Sequence, residues 1–461
     1  MNVWGPAMFG KIQRIHFVGI GGIGMSGIAE VLVNLGYQVS GSDLREGPVT
    51  DRLKAMGASI RLGHDAGCIE GAQAVVISSA VKADNPEVLA AHAAKIPVIP
   101  RGEMLSELMR MKQGVAVAGS HGKTTTTSMI AQVLSAAGLD PTVVIGGKLN
   151  ILGSNAKLGK GQLLVAEADE SDGSFLLLNP TLAVITNIDR EHLDHYKDLD
   201  EICDAFQAFA NKVPFYGAVF LCMDDPHASN LRPRINRRVV TYGTNPQVEI
   251  RAKGIRQHGF RTSFHVHADG VDLGAFSLGV PGHHMVLNAL AAIGVALELN
   301  VPVESVRTSL AAFTGAERRF TNRGEKDGVL VVDDYGHHPT EIAATLKAAR
   351  KGFPERRLVV AFQPHRYTRT QALMEEFGRA FFEADVVFLT DIYAASEPPL
   401  PGVSGEILAE TLRQHGQRDV RFVADVEELP KELKGATLPG DLVITFGAGS
   451  ITHAGPAFLA L

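Results

Sequence analysis

The sequence of 461 residues has few cysteines, no long apolar run and no long basic tract, and each shortage excludes a class of protein. The three cysteines, Cys68, Cys203 and Cys222, are too scattered for a disulfide framework or a zinc knuckle. No stretch approaches the ~18 apolar residues of a membrane span, and the first residues lack the apolar core of a signal peptide. The net charge is −6, without a basic arm for nucleic acid. We therefore expect a cytoplasmic protein with neither membrane nor nucleic-acid partners.

The composition is that of an ordinary globular protein. Hydrophobic residues make up 45% of the chain and charged residues 20%. At ~150 residues per domain, the length predicts about three domains. Glycine is plentiful, with 48 residues, and its ability to adopt positive φ and to let a ligand approach the backbone makes the position of each cluster informative.

Three stretches alternate apolar runs with helical patterns, which is typical of βαβ units and mainly parallel sheets. The fold class is therefore predicted as α/β with three domains, residues 1–105, 106–315 and 316–461. The first and third read as Rossmann-like. The middle one is predicted to have a mainly parallel sheet and an antiparallel part, since residues 261–278 alternate around an Asp269-Gly270 turn. The glycine loop near its start, described below, makes it P-loop-type.

The first glycine loop, Gly19–Gly24, has the pattern G-x-G-x-x-G between a predicted strand and a predicted helix. Such glycines permit a tight turn and leave room for a pyrophosphate at the helix N-terminus. Asp43 ends the next predicted strand, where a carboxylate can accept a ribose hydroxyl. The pattern indicates a nucleotide diphosphate, so a nicotinamide dehydrogenase and a nucleotide-linked substrate both remain open, beside a turn without ligand.

The second glycine loop, Gly119–Thr125, follows a β-type run and precedes an amphipathic helix. Backbone N–H groups would cradle phosphates, Lys123 would neutralise their charge, and the Thr124 hydroxyl would reach Mg²⁺. The strict pattern has a glycine where this chain has Val117, so the loop is a shortened variant.

Acidic residues and a histidine follow the next two predicted strands. Glu167 comes first after an apolar run and is the expected magnesium partner, whereas Glu170 and Asp172 are typical of a solvated turn. His192 is a second metal ligand or a phosphate contact, or neither. No cysteine completes a zinc site with His192 and His195.

The presence of two nucleotide loops in one chain disfavours enzymes that need only one nucleotide site. A dehydrogenase gives no role to the second loop, and a switch NTPase gives none to the first. An ATP-driven synthetase acting on a nucleotide-activated substrate uses both.

Six segments, in this order, resemble the Mur ligases of peptidoglycan synthesis: HFVGIGGIGMSGIAEVL, AGSHGKTTTT, EADESD, TNIDREHLDHY, DDYGHHPTEI and FQPHRYTRT. The resemblance implies a UDP-sugar domain, an ATPase domain and an amino-acid domain. It further implies ATP-dependent ligation of L-alanine to the carboxylate of UDP-N-acetylmuramate through an acyl phosphate, with Mg²⁺, by a monomer or homodimer. A ligase that recycles a whole tripeptide, and a non-catalytic nucleotide sensor, remain as alternatives.

The resemblance also implies roles for individual residues. The UDP-sugar would be held by Gly19, Gly21, Gly22, Gly24, Asp43 and Ser78. ATP would be held by Gly119, Ser120, His121, Gly122, Lys123, Thr124, Thr125, His284, Asn288, Arg319, Asp334 and His337. Thr124, Glu167 and His192 would hold the metal, and Lys123, Glu167, His192 and Arg366 would be catalytic. Met285 stands where the family usually has an asparagine, and the consequence for the contact with adenine stays open.

The C-terminal motifs are also informative in physical terms. Asp334 and His337 lie at the carboxyl end of a predicted strand, the usual ligand edge of an open α/β sheet. A cluster of polar and cationic groups suits phosphates or carboxylates. By resemblance, the alanine and the muramyl carboxylate would lie among Tyr335, His365, Arg366 and Arg369. At least one of Arg318 and Arg319 is expected to face solvent, and His338 to pack structurally.

Overall fold

A five-stranded parallel sheet comes first in the computed structural model, which describes residues 12–145, 156–192 and 195–461. Its elements and the helix that follows are β1 (Arg14–Val18), α1 (Ile23–Asn34), β2 (Gln38–Asp43), α2 (Pro48–Ala55), β3 (Ser59–Leu62), β4 (Ala74–Ile77), α3 (Pro86–Ala93), β5 (Val98–Pro100) and α4 (Arg101–Arg110). The strand order is β3-β2-β1-β4-β5, and every neighbouring pair is parallel. This order confirms the Rossmann-like prediction and puts the switch point beside β1, where such sheets bind ligands.

The second sheet contains ten strands among the described residues. Its elements are β6 (Gln113–Ala118), α5 (Lys123–Ala136), β7 (Thr142–Val144), β8 (Ala156–Lys157), β9 (Leu163–Glu167), β10 (Leu182–Ile185), α6 (Leu199–Ala210), β11 (Ala218–Cys222), α7 (Pro226–Leu231), β12 (Val239–Gly243), β13 (Ile250–His258), β14 (Arg261–Ala268), β15 (Val271–Leu278), α8 (His283–Glu298) and α9 (Val303–Ala311). The order is β15-β14-β13-β12-β11-β10-β6-β9-β7-β8, and the pairs from β9 through β6 and β10 to β12 are parallel. The two-residue turn between β14 and β15, Asp269-Gly270, has positive φ at both positions and confirms the predicted hairpin.

The third sheet has six strands. Its elements are β16 (Thr321–Lys326), β17 (Val329–Asp334), α10 (Pro339–Gly352), β18 (Leu358–Phe362), α11 (Tyr367–Ala372), α12 (Met374–Ala380), β19 (Val386–Leu389), α13 (Gly405–Gln414), β20 (Val420–Phe422), α14 (Leu429–Ala436), β21 (Leu442–Phe446) and α15 (Ala454–Ala460). The order is β16-β17-β21-β18-β19-β20, parallel except at the β16 edge. The helical segment after β18 is divided into α11 and α12, because Leu373 leaves helical geometry at φ −118° and ψ 23°.

Both faces of this third sheet are covered, which explains why its strands read as continuous apolar runs. Along β18, Leu358, Val360 and Phe362 pack in one core cluster, while Val359 and Ala361 pack in another. Helices α10, α12 and α13 contribute to the first cluster, and α14 and α15 to the second. Burial on both sides is the normal state of parallel strands in α/β proteins.

The chain divides into two compact units. One reaches to Ala252 and includes Val266–Gly274 and Leu287–Leu310; the other contains Lys253–His265, Ala275–Val286 and Ala311–Leu461. The domain boundaries at residues 105 and 315 stay predictions; residue 105 lies within α4, and residue 315 lies between α9 and β16. Among the described helices, none combines the length and apolar character that crossing a membrane requires.

Candidate active site

The first glycine loop connects β1 to α1 and is tied to β2 through its backbone. The N–H groups of Gly19 and Ile20 both donate to the carbonyl of Ser42, at 2.8 and 3.0 Å. Gly19 has φ +76°, which glycine adopts without strain, and Gly22 is the N-cap of α1. The loop therefore has the strand–turn–helix form that suits an anion at a helix N-terminus.

A cavity of about 500 Å³ opens beside this loop. Its wall contains five of the residues predicted for the UDP-sugar, Gly19, Gly21, Gly22, Asp43 and Ser78. Gly24 is not in the wall that the described residues form. A Cβ at Gly24 would clash with the guanidinium of Arg101, so the glycine allows close packing of that side chain.

Asp43 holds the loop as well as lining the cavity. Its Oδ2 accepts the N–H of Gly21 at 2.8 Å, and its Oδ1 accepts the N–H of Arg45 at 3.2 Å. Each carboxylate oxygen can accept two hydrogen bonds, so acceptor capacity for a ribose hydroxyl remains. Asp43 thus has a structural role that the sequence did not predict.

A buried chain of ionisable side chains, which the sequence analysis missed, reaches the same cavity. Glu87 on α3 is fully buried, and its two oxygens lie 2.6 Å from His16 Nε2 and from His64 Nδ1. Burial alone would raise the pKa of Glu87, but hydrogen bonds from His16, Ser42 and His64 bring it below the ordinary value. His64 lines the cavity. The three residues come from separate elements, so no local sequence pattern indicates the cluster.

The second glycine loop has two glycines in the left-handed region. Gly119 has φ +139° and Gly122 has φ +80°. A Cβ at Gly119 would clash with Oγ1 of Thr186, and one at Gly122 would lie 2.8 Å from Oδ1 of Asn288. Asn288, predicted to contact adenine, is therefore in direct proximity to the loop.

The residues that follow β10 brace this loop. The N–H of Asp189 donates to Ser120 Oγ at 2.8 Å, and Asp189 Oδ2 lies 2.9 Å from His121 Nε2. The N–H of His121 donates to Asn187 Oδ1 at 2.8 Å. Thr125 is buried on α5. Ser120 and His121 thus maintain the shape of the loop, whatever they contact in a bound nucleotide.

Lys123 begins α5 and carries a fixed positive charge. Its Nζ donates to the carbonyls of Gly119 and Ser120 at 2.6 and 3.1 Å, and to Glu170 Oε1 at 2.6 Å. Burial alone would lower the pKa of the ammonium, but the charges of Glu170 and Glu167 outweigh it and raise the pKa above its usual range. Lys123 therefore remains protonated.

The prediction of a solvated turn was wrong for Glu170. This residue is only 1% exposed. A carboxylate can be buried here because the Lys123 ammonium, which donates to its Oε1, replaces the water that would otherwise solvate it. Asp172 does form the predicted turn, accepting the N–H of Ser174 at 3.0 Å.

The predicted metal ligands fall into two adjoining groups. Thr124 Oγ1 donates to both oxygens of Glu167, each at 3.1 Å. His192 Nε2 lies 3.2 Å from Glu170 Oε1 and 3.6 Å from Glu191 Oε2. Ligand atoms of Glu170, Glu191 and His192 lie within 4.8 Å of one another, and Oε2 of Glu170 is buried without a hydrogen-bond partner in the described part of the chain. Oxygen-rich donors of this kind fit Mg²⁺.

The other predicted ATP contacts, His284, Arg319, Asp334 and His337, lie in the second compact unit. His284 is half-buried, and desolvation together with the nearby positive charge of Arg319 lowers the pKa of its imidazole to about 4. The imidazole is therefore neutral near pH 7. Met285, next to it, is buried on α8.

Arg318 and Arg319, in the same unit, both have acidic partners, so the expectation that one of them faces solvent was wrong. The side chains of Arg318 and Arg319 are only 16% and 21% exposed. Arg318 Nε donates to Asp333 Oδ2 at 3.1 Å, and Arg319 Nη1 donates to Glu341 Oε1 at 2.9 Å. Both guanidinium groups also lie over the ring of Tyr335, at 5.2 and 5.4 Å from its centroid. Buried acids and an aromatic face take the place of solvent.

Asp334 and His338 have structural contacts. The Asp334 carboxylate accepts the N–H groups of Phe320 and Gly336 at 2.8 and 2.7 Å, and burial raises its pKa to about 6. His338 is the N-cap of α10 and accepts the N–H of Thr340 at 3.4 Å. His338 therefore packs structurally, as predicted.

A row of rings brings the remaining predicted residues together. Successive centroids of Tyr335, His337, His365 and Tyr393 are 5.2, 5.8 and 5.5 Å apart. Arg369 Nη1 donates to His365 Nδ1 at 3.3 Å, which leaves the proton of the neutral ring on Nε2. Burial and the charges of Arg369 and Arg366 lower the pKa of His365 to about 4. Tyr393 lies on the loop after β19, far along the chain from His365, so no local sequence pattern indicates its place in this row.

Arg101 on α4 links the first sheet to the acidic motif after β9. Its Nη2 donates to Asp169 Oδ2 at 2.8 Å. Although burial would raise the pKa of Asp169, a hydrogen bond from Ser171 and the charges of Arg101 and Lys123 lower it to about 2. The same guanidinium packs on Gly24, so Arg101 is a common neighbour of the first glycine loop and of the acidic motif after β9.

Three consecutive parts of the chain match descriptions of one protein family. Residues 14–113 match the Mur ligase family catalytic domain, residues 117–296 the Mur ligase middle domain, and residues 318–449 the Mur ligase glutamate ligase domain. The chain belongs to the Mur ligase family. The resemblance of the six sequence segments is thereby confirmed, as is the three-domain α/β fold class.

Individual relatives agree with this family assignment. The Mur ligase is 61% identical to a protein of Trichlorobacter lovleyi named UDP-N-acetylmuramate–L-alanine ligase, over 98% of this chain and 99% of that protein. The structure of a UDP-N-acetylmuramate-alanine ligase from Thermotoga maritima matches with a TM-score of 0.81 and 31% identity, covering 97% of this chain and 98% of the other. A murein peptide ligase from Psychrobacter arcticus has the same fold, with a TM-score of 0.70, 24% identity and coverage of 97% and 98%.

Proposed function

We propose that this Mur ligase uses ATP to join L-alanine to the carboxylate of UDP-N-acetylmuramate, in the cytoplasmic synthesis of peptidoglycan precursors. The observation that carries the proposal is the 61% identity to a UDP-N-acetylmuramate–L-alanine ligase across 98% of the chain. The two glycine loops support it, because such a reaction needs both a nucleotide-linked substrate and ATP.

The chemistry must overcome the inertness of a carboxylate toward an amine. The muramyl carboxylate attacks the γ-phosphate of ATP, which forms an acyl phosphate and releases ADP. The free amine of L-alanine then attacks the acyl carbon, and the tetrahedral intermediate expels phosphate. Positioning and charge stabilisation account for most catalysis of this type, so no protein nucleophile is required.

The UDP-sugar would occupy the cavity beside the first loop. Gly19, Gly21 and Gly22 would present backbone to the diphosphate at the N-terminus of α1. Asp43 would accept a ribose hydroxyl while keeping its bond to the Gly21 N–H, and Ser78 lines the same wall.

ATP would bind at the second loop. Lys123, held as a cation by Glu170, would stabilise negative charge on the phosphoryl group in transfer. Thr124, Glu167 and His192 would hold Mg²⁺, with Glu170 and Glu191 beside them. The metal, when bound, supplies positive charge to the phosphate oxygens.

The two carboxylate groups would be received by the cationic end of the third sheet. Arg366 and Arg369 offer planar guanidinium donors, which suit carboxylates. The neutral His365 would donate through Nε2–H, and Tyr335 lies in the same row of rings.

The test is release of phosphate from ATP in the presence of UDP-N-acetylmuramate, with L-alanine, glycine, L-serine or tripeptide as the acceptor. We expect the highest kcat/KM with L-alanine. A preference for tripeptide would assign the recycling reaction instead. Binding of ADP and UDP without turnover of any acceptor would indicate a nucleotide sensor.

A further inference from the structure

Arg366 has a backbone conformation that arginine rarely adopts. Its φ is +71° and its ψ is 135°, at the residue that precedes α11. Side chains with a Cβ are strained in this region, which glycine normally occupies. A strained backbone conformation persists only where several surrounding contacts hold it. The contacts around Arg366 therefore show which interactions keep it in this conformation.

One segment, residues 393–397, supplies those contacts. The N–H of Arg366 donates to the carbonyl of Tyr393 at 2.9 Å, and the N–H of Tyr393 donates to the carbonyl of Pro364 at 2.8 Å. The Tyr393 ring stacks on His365, with an interplanar angle of 11°. Backbone pairing and ring stacking thus hold both residues of the His365–Arg366 pair.

Glu397, at the end of the same segment, holds the side chain of Arg366. Its Oε1 lies 2.7 Å from Arg366 Nε, and the carboxylate is largely buried, with 13% of the side chain exposed. It also accepts the Thr368 hydroxyl at 2.7 Å and the Thr368 N–H at 3.1 Å. Burial alone would raise the pKa of Glu397, but these bonds and the arginine charge lower it, so the carboxylate is ionised near pH 7. An ion pair through Nε sets the plane of a guanidinium, and planar recognition of a second carboxylate depends on that plane.

Two roles for Glu397 account for these contacts. As a cap for the first turn of α11 it would need only Thr368. The bond to Arg366 Nε is not a capping contact, and it acts on a residue whose backbone is already strained. The second role, orientation of Arg366, is the one that accounts for the contact with Arg366 Nε.

We propose that Glu397 is a positioning residue for the amino-acid substrate, holding the Arg366 guanidinium in the orientation that receives the carboxylate of L-alanine. This inference rests on the proposed function, which places Arg366 and Arg369 at the two substrate carboxylates, and it assigns the carboxylate of L-alanine to Arg366. Glu397 acts through Arg366 and makes no contact with the reacting atoms.

The test compares Glu397→Gln, Arg366→Ala and the double variant in the full chain, by initial rates of phosphate release with each substrate varied in turn. We expect Glu397→Gln to raise KM for L-alanine about ten-fold, while KM for ATP changes less than about two-fold. Glu397→Asp, which keeps the charge, should recover part of the loss. The double variant should match Arg366→Ala, since Glu397 has no effect without its partner.

Thr368→Val is the matched control, because it removes a capping bond and leaves the Arg366–Glu397 pair intact. Its KM for L-alanine should equal that of the parent. A rise in KM for Thr368→Val equal to that of Glu397→Gln would assign Glu397 to capping and overturn the proposal. Additive effects in the double variant, or equal rises in KM for all substrates, would also overturn it.

The failure of this inference is distinguishable from failure of the proposed function. If Arg366→Ala raises KM for L-alanine and Glu397→Gln does not, the positioning role is wrong and the assignment of Arg366 stands. If Arg366→Ala leaves KM for L-alanine unchanged, the assignment of Arg366 is wrong, and the positioning role with it. Glu397→Asp serves as the test variant if Glu397→Gln does not fold.

Discussion

Replacing Lys123 by methionine should affect both catalysis and stability, and the two effects can be separated. Lys123→Met removes a cation that is protonated at all working pH values. In catalysis, loss of such a charge from a phosphoryl-transfer site costs on the order of 10³-fold in kcat. In stability, it leaves the Glu170 carboxylate buried without its ammonium partner, with the imidazole of His192 3.2 Å away.

The magnitude of the stability effect follows from the burial of the pair. Breaking a buried ion pair from one side costs about 3–5 kcal/mol. We expect the lower value, about 3 kcal/mol, because 15% of the Lys123 side chain is exposed, against 2% for Glu170. Lys123→Met/Glu170→Gln removes the orphaned charge and should recover most of that loss without recovering activity.

Phosphate release measures the loss of catalysis, and urea unfolding followed by circular dichroism measures the loss of stability. Near-parental turnover in Lys123→Met would refute the assignment of the second loop to ATP. Equal destabilisation in the single and double variants would refute the argument that Glu170 depends on Lys123 for burial.

Three further predictions follow from the other contacts. Asp43→Ala should weaken UDP binding about ten-fold, because it removes a ligand contact and the acceptor of the Gly21 N–H. ADP binding should be unchanged in the same calorimetric titrations. A selective loss of ADP binding would contradict the assignment of the first loop. Glu87→Gln should lower the free energy of unfolding by about 1–3 kcal/mol at pH 7. Because the folded pKa of Glu87 lies below the ordinary 4.5, that difference should be full above pH 4.5 and shrink as the pH falls through the folded value, which urea unfolding at several pH values would reveal. KM for L-alanine should show no step from His365 near its ordinary pKa of 6.5, since the folded pKa is about 4; a step that disappears in His365→Asn would contradict this.

The features that the sequence predicted well are those set by local chain geometry. Both glycine loops occur between a strand and a helix, as their spacing required, because positive φ and a helix start depend on neighbouring residues. The strands of the third sheet were equally visible: a strand buried on both faces, such as Leu358–Phe362, must be apolar throughout.

The features that the sequence did not predict depend on contacts between distant segments. The sequence around Glu170 is typical of a solvated turn, but in the fold Lys123 on α5 pairs with this carboxylate. The sequence around Arg318 is typical of an exposed arginine, but in the fold Asp333 and Tyr335 contact its guanidinium. Likewise Glu397 follows Arg366 by 31 positions, and only the course of the loop after β19 brings the two together. Charge compensation of this kind leaves no periodic signal in a single sequence.

The position of Arg101 has a consequence for interpreting variants of this enzyme. A methyl group added at Gly24 would displace the guanidinium, and a displaced guanidinium no longer depresses the pKa of Asp169. A change in the first glycine loop would then raise the pKa of Asp169 in the acidic motif after β9. A variant with a defect in the acidic motif can therefore carry its substitution in the first glycine loop, more than 140 positions earlier in the chain.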